Sequence, residues 1–530
     1  MSMKSVAKGL EYAPPVYSLY ECLVATATKH GDRPAVHFFD KTITHGELLK
    51  AAVQLSAFLH AKGVRKGDRV GIMLPNVPHY VIAFYACARL GAIVTQVNPM
   101  YTPREVEYTL EDSGSKALVV LDRLYAGIAE LDAVKKLSSV IPVSLGEAPA
   151  FEAANATAWN GVMTTPYEIP DPAEIDPLED IGVLQYTGGT TGRSKGAMLT
   201  HANLVANTWQ SIMVLGGEAI VPEDKILTAI PLFHVYGMTV AMNIAIFRGC
   251  AMILMPRFDV QEMLEAIKLY RPRLFPGVPT MYVAIANHPD AEAYGIDAIE
   301  ICNSGSAPLP VEVLQRFEQR TGSMICEGYG LSETSSVAHT NPLDGRPRKA
   351  GSIGVPIPGT EAKIVDLATG EEIVNVGEIG EMVVRGPQIM KGYWNMPEET
   401  AHALRDGWLY TGDIARLDED GYAYIVDRKK DMIIAGGFNV YPRDVEEVLY
   451  QHPNVREAVV VGVPDEYRGE NVKAFLVLKD GAEWSPELEE QMNQFCRERL
   501  APYKVPRLYE VRAELPKTPV GKILRRALRA

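Results

Sequence analysis

A chain of 530 residues with 47% apolar and 22% charged side chains can fill several cores, which excludes a long disordered polypeptide. Its 66 acidic residues against 52 Lys and Arg leave a formal charge of -14, a balance that repels nucleic acid and anionic lipid at long range. An acidic substrate would therefore need a local basic or amide-lined site.

Cys22, Cys87, Cys250, Cys302, Cys326 and Cys496 are scattered, with no CxxC pair, and the 11 histidines form no HExxH pattern. That reads as reduced thiols in a cytosolic protein without a zinc site. The N-terminus has no apolar h-region, so no signal peptide is expected.

Along the chain, apolar β-branched runs at Arg69–Leu74, Ala117–Leu121, Ile226–Pro231 and Ala251–Met255 alternate with helical patterns such as Val81–Leu90 and Val260–Leu269. Such alternation predicts α/β layers with largely parallel sheets. Asn243, Arg248 and Gly249 interrupt the most apolar window, Met238 to Met255, which predicts a buried helix and then a strand, not a membrane span.

Near residue 350 the character changes. Short strands at Glu361–Asp366, Gly380–Arg385 and Gly421–Asp427, separated by turn residues, predict a β-rich segment of distorted-barrel type. A boundary near Asp427–Asp431 separates an N-terminal domain, 1–428, from a small α+β domain, 429–530. In the latter, Tyr441–Gln451 reads as a helix with Pro442 near its start, Val459–Val463, Ala474–Leu478 and Leu508–Val511 as strands, and Pro486–Leu500 as an amphipathic helix.

The segment Tyr186 to Gly196 carries the sharpest chemical signal. Gly188, Gly189, Gly192 and Gly196 let the backbone approach a ligand, Thr187, Thr190 and Thr191 offer hydroxyls, and Lys195 supplies positive charge. This is a phosphate cradle, although neither a GxxxxGK[ST] loop nor a GxGxxG fingerprint is present.

The segment resembles the nucleotide-binding loop of the adenylate-forming superfamily, which includes acyl-CoA synthetases, peptide-synthetase adenylation domains and luciferases. Further segments follow in the family's order: Glu327 to Thr334, Tyr410 to Asp413, Asp427 to Pro442, and Pro516 to Lys522. The resemblance implies a large multi-layered N-terminal domain, with α/β subdomains and a distorted β-barrel, and a small mobile C-terminal domain. It implies ATP, Mg²⁺ and coenzyme A.

By the same resemblance, Thr187 and Glu333 meet Mg²⁺ at the ATP phosphates, a role suited to oxygen ligands. Gly188, Gly189, Thr190, Thr191, Gly192 and Lys195 surround the phosphates. Gly305, Ser306, Ala307, Pro308, Glu327, Gly328, Tyr329, Gly330 and Ser332 form the adenine side. Asp413 accepts from the ribose hydroxyls, Arg428 reaches ribose or phosphate, and Ile425 lines the same nucleotide site.

Lys522 stabilises charge on the α-phosphate as a carboxylate attacks it. With Thr187, Glu333 and His234 it completes the catalytic set. Lys430 is the expected hinge, and Gly436, Gly437 and Phe438 the coenzyme A channel.

Acyl-pocket residues implied by the resemblance are His234, Val235, Tyr236, Gly237, Met238 and Val278. None carries an obvious buried charge, and the small Gly237 suggests room for a tunnel. Stretches such as Val97–Arg104, Gln185–His201 and Val426–Ile433 resemble bacterial long-chain fatty-acid CoA ligases most.

The expected reaction converts a fatty acid and ATP to acyl-AMP and pyrophosphate, then acyl-AMP and coenzyme A to acyl-CoA and AMP. A medium-chain or aryl-acid ligase of coumarate type stays open, as do acyl transfer to a carrier protein and a binding protein without turnover. Cytoplasmic placement is expected. A homodimer and peripheral contact at the inner membrane face stay open, and no nucleic-acid partner is expected.

Overall fold

The computed structural model describes residues 6–8, 12–146, 153–187, 194–307, 309, 311–373, 375–429, 431–435, 438–465, 469–518 and 523–529. They fall into two compact units, one of 8–361 with 385–409, the other of 1–7, 362–384 and 410–530.

In the first unit, near-continuous apolar strands build two mainly parallel sheets. One runs Gly392–Tyr393, Lys195–Thr200, Ile181–Thr187, Ile93–Gln96, Arg69–Met73, Ser115–Leu121 and Ser139–Val143. Its last five strands are parallel, while Lys195–Thr200 is antiparallel to both of its neighbours. The other sheet runs Val355–Pro356, His339–Thr340, Met324–Tyr329, Ile301–Ser304, Leu274–Gly277, Lys225–Thr228, Ala251–Leu254, Pro34–Phe38 and Lys41–Thr44. It is parallel from Met324–Tyr329 to Pro34–Phe38 and antiparallel at both ends.

Parallel strands must be covered on both faces, and helices such as Pro78–Leu90 and His201–Val214 supply the cover. Several helices start where a hydroxyl and a residue three positions on satisfy each other's backbone N–H groups. The pairs are Ser18 with Glu21, Thr44 with Glu47, Thr102 with Glu105 and Thr200 with Asn203.

The apolar window after Met238 opens as a wide, π-type turn, Gly237–Asn243, continues as the helix Ile244–Arg248 and ends in the strand Ala251–Leu254. No described helix is long and apolar enough to cross a membrane. All six cysteines are free thiols.

The second unit has its own two sheets. Val6–Lys8, Glu361–Val365, Gly380–Arg385 and Trp408–Leu417 lie side by side, and Ala423–Arg428 pairs antiparallel with Trp408–Leu417. This is the expected β-rich segment.

The other sheet is Phe438–Val440, Ile433–Ala435, Gly469–Leu478 and Val455–Asp465, with Leu508–Val511 parallel to Gly469–Leu478. Alternation along Val455–Asp465 sends Ala458 and Val460 to one face and Val459 and Val461 to the other. The helices Pro442–Tyr450 and Pro486–Arg497 cover the first face through Val445, Leu449, Met492 and Cys496. Leu515 and Leu528 cover the second, so the C-terminal segment is anchored on both sides of its Lys517–Ile523 bridge.

One ionic cluster ties this segment down. Arg525 grips Glu446 through two hydrogen bonds of 2.8 and 2.7 Å, and also faces Asp427 and Asp431 at 3.6 Å each. Removing one partner of a buried ion pair leaves uncompensated charge behind. Arg525→Ala is therefore expected to destabilise the protein by about 3 kcal/mol, with Arg525→Lys recovering part of that. Chemical denaturation of the full chain checks it.

Candidate active site

The two strands that flank the phosphate-cradle segment pair antiparallel, with Thr187 on Ile181–Thr187 facing Lys195 on Lys195–Thr200. Ser194 Oγ donates to the carbonyl of Thr187 at 2.5 Å, and Tyr108 Oη donates to the carbonyl of Ser194 at 2.9 Å.

One step back along the hairpin, Tyr186 donates to Oδ2 of Asp112 at 2.6 Å. Burial, with that carboxylate beside it, pushes the Tyr186 phenol well above its ordinary value, so it stays a donor. The Asp112 carbonyl in turn accepts from Trp394 Nε1 at 3.1 Å. Gly188, Gly189, Thr190, Thr191 and Gly192 lie outside the described residues.

Lys195 leaves the hairpin with its Nζ paired to Glu399 and 5.1 Å from the centre of the Tyr393 ring. Lys195 draws the Glu399 carboxyl below the usual carboxylate range, first through their hydrogen bond and then through its charge. Tyr393 in turn donates its hydroxyl to Oε1 of Glu333 at 2.6 Å.

Glu333 sits in a single 3₁₀ turn, Ser332–Thr334, whose backbone is held by Thr334 Oγ1 accepting from the N–H of Leu331. No group of three or more His, Cys, Asp or Glu side chains that could hold a metal occurs among the described residues. A divalent ion at Glu333 would complete its shell with phosphate oxygens and water, the usual arrangement for Mg²⁺, so the residues present fit that ion.

The expected adenine side forms around two parallel strands. Gly305, Ser306 and Ala307 follow Ile301–Ser304, with Ser306 at a φ of 70°. Glu327 on the neighbouring Met324–Tyr329 reaches across to accept the N–H of Leu309 at 3.2 Å. Gly328 and Tyr329 end that strand, where Tyr329 pairs with His339.

Burial pushes the His339 imidazole down to about 3, so it is neutral at physiological pH. Gly330 has a different reason to be there. A Cβ on it would lie 1.4 Å from the carbonyl oxygen of Ser336.

The acyl segment adjoins this wall. The N–H of Tyr236 donates to Nδ1 of His234 at 3.2 Å, which leaves the ring proton of a neutral His234 on Nε2. Tyr236 itself is buried, and its hydroxyl lies 2.6 Å from the carbonyl of Asn303 and 2.8 Å from Asn303 Oδ1. Val235, Met238 and Val278 are buried as well.

A Cβ on Gly237 would sit 2.3 Å from the carbonyl oxygen of Pro231, so two stretches of backbone meet there and leave room only for glycine.

In the other unit, Asp413 on Trp408–Leu417 pairs in register with Arg428 on Ala423–Arg428, and Arg428 Nε lies 3.1 Å from Asp413 Oδ1. Ile425 faces Ala415 two steps further along. Glu381 Oε1 accepts the N–H of Gly412 at 3.0 Å, and Lys429 Nζ lies 3.1 Å from Glu381 Oε2. Pro308, Lys430, Gly436, Gly437 and Lys522 lie outside the described residues, as does the side chain of Phe438.

Tyr393, Glu399, Asp112 and Asn303 were missed by the sequence reading. Each lies far along the chain from its partner, and only tertiary packing brings them together.

With this geometry in place, a nucleotide-handling α/β enzyme with a separate small C-terminal sheet is defined. The chain matches the AMP-binding enzyme family over residues 23–394 and the AMP-binding enzyme C-terminal domain over 444–522, and it belongs to that family. It is 47% identical to a long-chain-fatty-acid–CoA ligase of Bacillus subtilis (strain 168), over 97% of this chain and 94% of that one.

Among solved structures, ATP-bound MatB from Rhodopseudomonas palustris matches with a TM-score of 0.86 at 32% identity, over 97% of this chain and 98% of that one. The anthranilate CoA ligase AuaEII, in complex with anthranoyl-AMP, matches with a TM-score of 0.88 at 29% identity, over 98% and 97%.

Gly330→Ala tests the backbone crossing at the candidate site. The clash is with backbone that cannot rotate away, so the expected cost is about 3 kcal/mol. Urea denaturation reads it directly. A loss of nucleotide affinity should accompany it because the crossing holds the turn that carries Glu333.

Proposed function

We propose that this chain is an ATP-dependent fatty-acid–CoA ligase. A fatty-acid carboxylate oxygen attacks the α-phosphorus of ATP, and pyrophosphate leaves. The coenzyme A thiol, giving up its proton, then attacks the acyl carbonyl, and AMP leaves.

The observation that carries the proposal is the near-full-length 47% identity to a relative named for long-chain fatty acids. The buried apolar side chains of Val235, Met238 and Val278 agree with it.

In this reading Lys195 binds phosphate, displaced from Glu399 as the anion arrives. Glu333 and Thr187 hold the Mg²⁺, which would shield charge on the phosphates when bound. His234 lines the carboxylate site, and no base is needed there because the attacking carboxylate is already ionised. Lys522 is assigned the charge developing at the α-phosphate. Rotation of the C-terminal domain about Lys430 separates the two half-reactions, with Gly436 and Gly437 beside the pantetheine arm.

The second reading is an aryl-acid ligase, favoured by the match to a structure holding anthranoyl-AMP. An acid panel from acetate to oleate, with aryl acids included, decides between them. Each buried methylene contributes about 0.8 kcal/mol, so kcat/KM should rise about fourfold per methylene until the pocket is full. An aryl acid as best substrate would replace the fatty-acid reading and leave the adenylation chemistry standing.

A pair of variants tests the division of labour. Lys522→Ala should cut pyrophosphate release by on the order of 10²–10³ and largely spare thioester formation from synthetic acyl-AMP. Gly437→Leu should do the reverse. Equal damage to both half-reactions in both variants would defeat the two-state reading.

A further inference from the structure

Between the lysine and the carboxylate that the proposed function assigns stands a residue with no role in it. Tyr393 is 9% exposed, and it touches both. Its hydroxyl donates to Glu333, and its ring face lies under Lys195.

This placement is enforced by the backbone. Tyr393 pairs with Ala197, and Gly392 with Met198, on the strand that begins at Lys195. The N–H of Tyr393 donates to Thr400 Oγ1 at 2.8 Å. Three residues before Tyr393, the N–H of Met390 donates to the carbonyl of Glu333 at 2.8 Å. The chain around Tyr393 is thus fastened to the lysine strand and to the carboxylate turn at once.

The two side-chain contacts do different work. A glutamate carboxylate turns through a broad torsional well, and a single donor on one oxygen fixes its plane. With Oε1 held, Oε2 has a defined direction toward a hard cation. The ring face attracts the ammonium without neutralising it, unlike the carboxylate of Glu399 on its other side.

We propose that Tyr393 is a positioning residue that sets the metal-binding carboxylate of Glu333 and the phosphate-binding ammonium of Lys195 in one mutual geometry. This rests on the adenylating reading of the site.

Two substitutions separate its two contacts. Tyr393→Phe keeps the ring and removes the donor, whereas Tyr393→Leu removes both. The probes are Mn²⁺ with a non-hydrolysable ATP analogue, read by electron paramagnetic resonance, and the analogue alone without metal, read by calorimetry. Denaturation curves establish that each variant is folded.

Tyr393→Phe is expected to raise the Mn²⁺ Kd on the order of tenfold while metal-free affinity for the analogue holds. Tyr393→Leu should show the same metal loss and bind the metal-free analogue about threefold more weakly. Parental Mn²⁺ affinity in Tyr393→Phe overturns the positioning role alone, and so does metal-free affinity in Tyr393→Leu equal to that of Tyr393→Phe. Absence of Mn²⁺–analogue binding by the unsubstituted chain overturns the adenylating reading, and the positioning role with it.

Discussion

Antiparallel pairing of Gly392–Tyr393 with Lys195–Thr200 is the constraint on which the candidate site depends. It places Tyr393 and Glu399 beside a lysine that is some two hundred residues earlier in the chain. The same local pairing sets Trp394 against Asp112, which in turn anchors Tyr186 at the base of the phosphate hairpin. A chain with a formal charge of -14 cannot attract an anionic nucleotide by its overall field. It must hold positive charge in a fixed place, where it acts without reorganisation when charge develops. The pair of Lys195 with Glu399 does this at low cost, because the ammonium has a partner when no anion is bound.

The α/β architecture was legible because its cause is local. Strands buried on both faces must be continuously apolar, and Arg69–Met73, Ser115–Leu121 and Ala251–Leu254 are, so their reading fell within a few residues of the structure. The elements of the C-terminal sheet were legible for the complementary reason. Alternation in Val455–Asp465 and the amphipathic helices Pro442–Tyr450 and Pro486–Arg497 each declare one face. Strand ends differed where a turn residue could extend a ladder, as in Gly469–Leu478, which begins five residues before the apolar run that revealed it.

Segments at the candidate site were visible where composition departs from what a core needs, as with the threonines and glycines before Lys195. Tyr393, Glu399 and Asp112 carry no such mark. A tyrosine in a two-residue strand and a glutamate in the first turn of Pro397–Ala403 look like ordinary surface chemistry. Their meaning comes from tertiary pairing, which no local pattern records.

Gly237 is a local signal whose physical cause in the structure is backbone. A small residue in an apolar segment looks like space. Here it marks a backbone crossing inside a wide helical turn, and such turns recur at functional sites because they re-aim neighbouring side chains.

That crossing shapes how the acyl segment can vary. Tyr236 reaches from it to Asn303, and a Cβ on Gly305 would lie 3.2 Å from the Tyr236 ring. Thr239 Oγ1 donates to the carbonyl of Ser335 at 2.8 Å, immediately after the turn that carries Glu333. The segments around Tyr236, Asn303 and Ser335 are therefore packed together, with hydrogen-bonded buried groups at each junction. Leaving any of those groups unpaired costs about 1–3 kcal/mol. Backbone change at residue 237 would be felt at Glu333. Val235 and Val278 end in apolar side chains with no hydrogen bond to break, whereas Met238 Sδ accepts from Gln96 Nε2 at 3.5 Å. In the proposed reading a different acid is therefore reached at least cost through Val235 and Val278, while Tyr236 stays hydrogen-bonded to the strand that precedes Gly305.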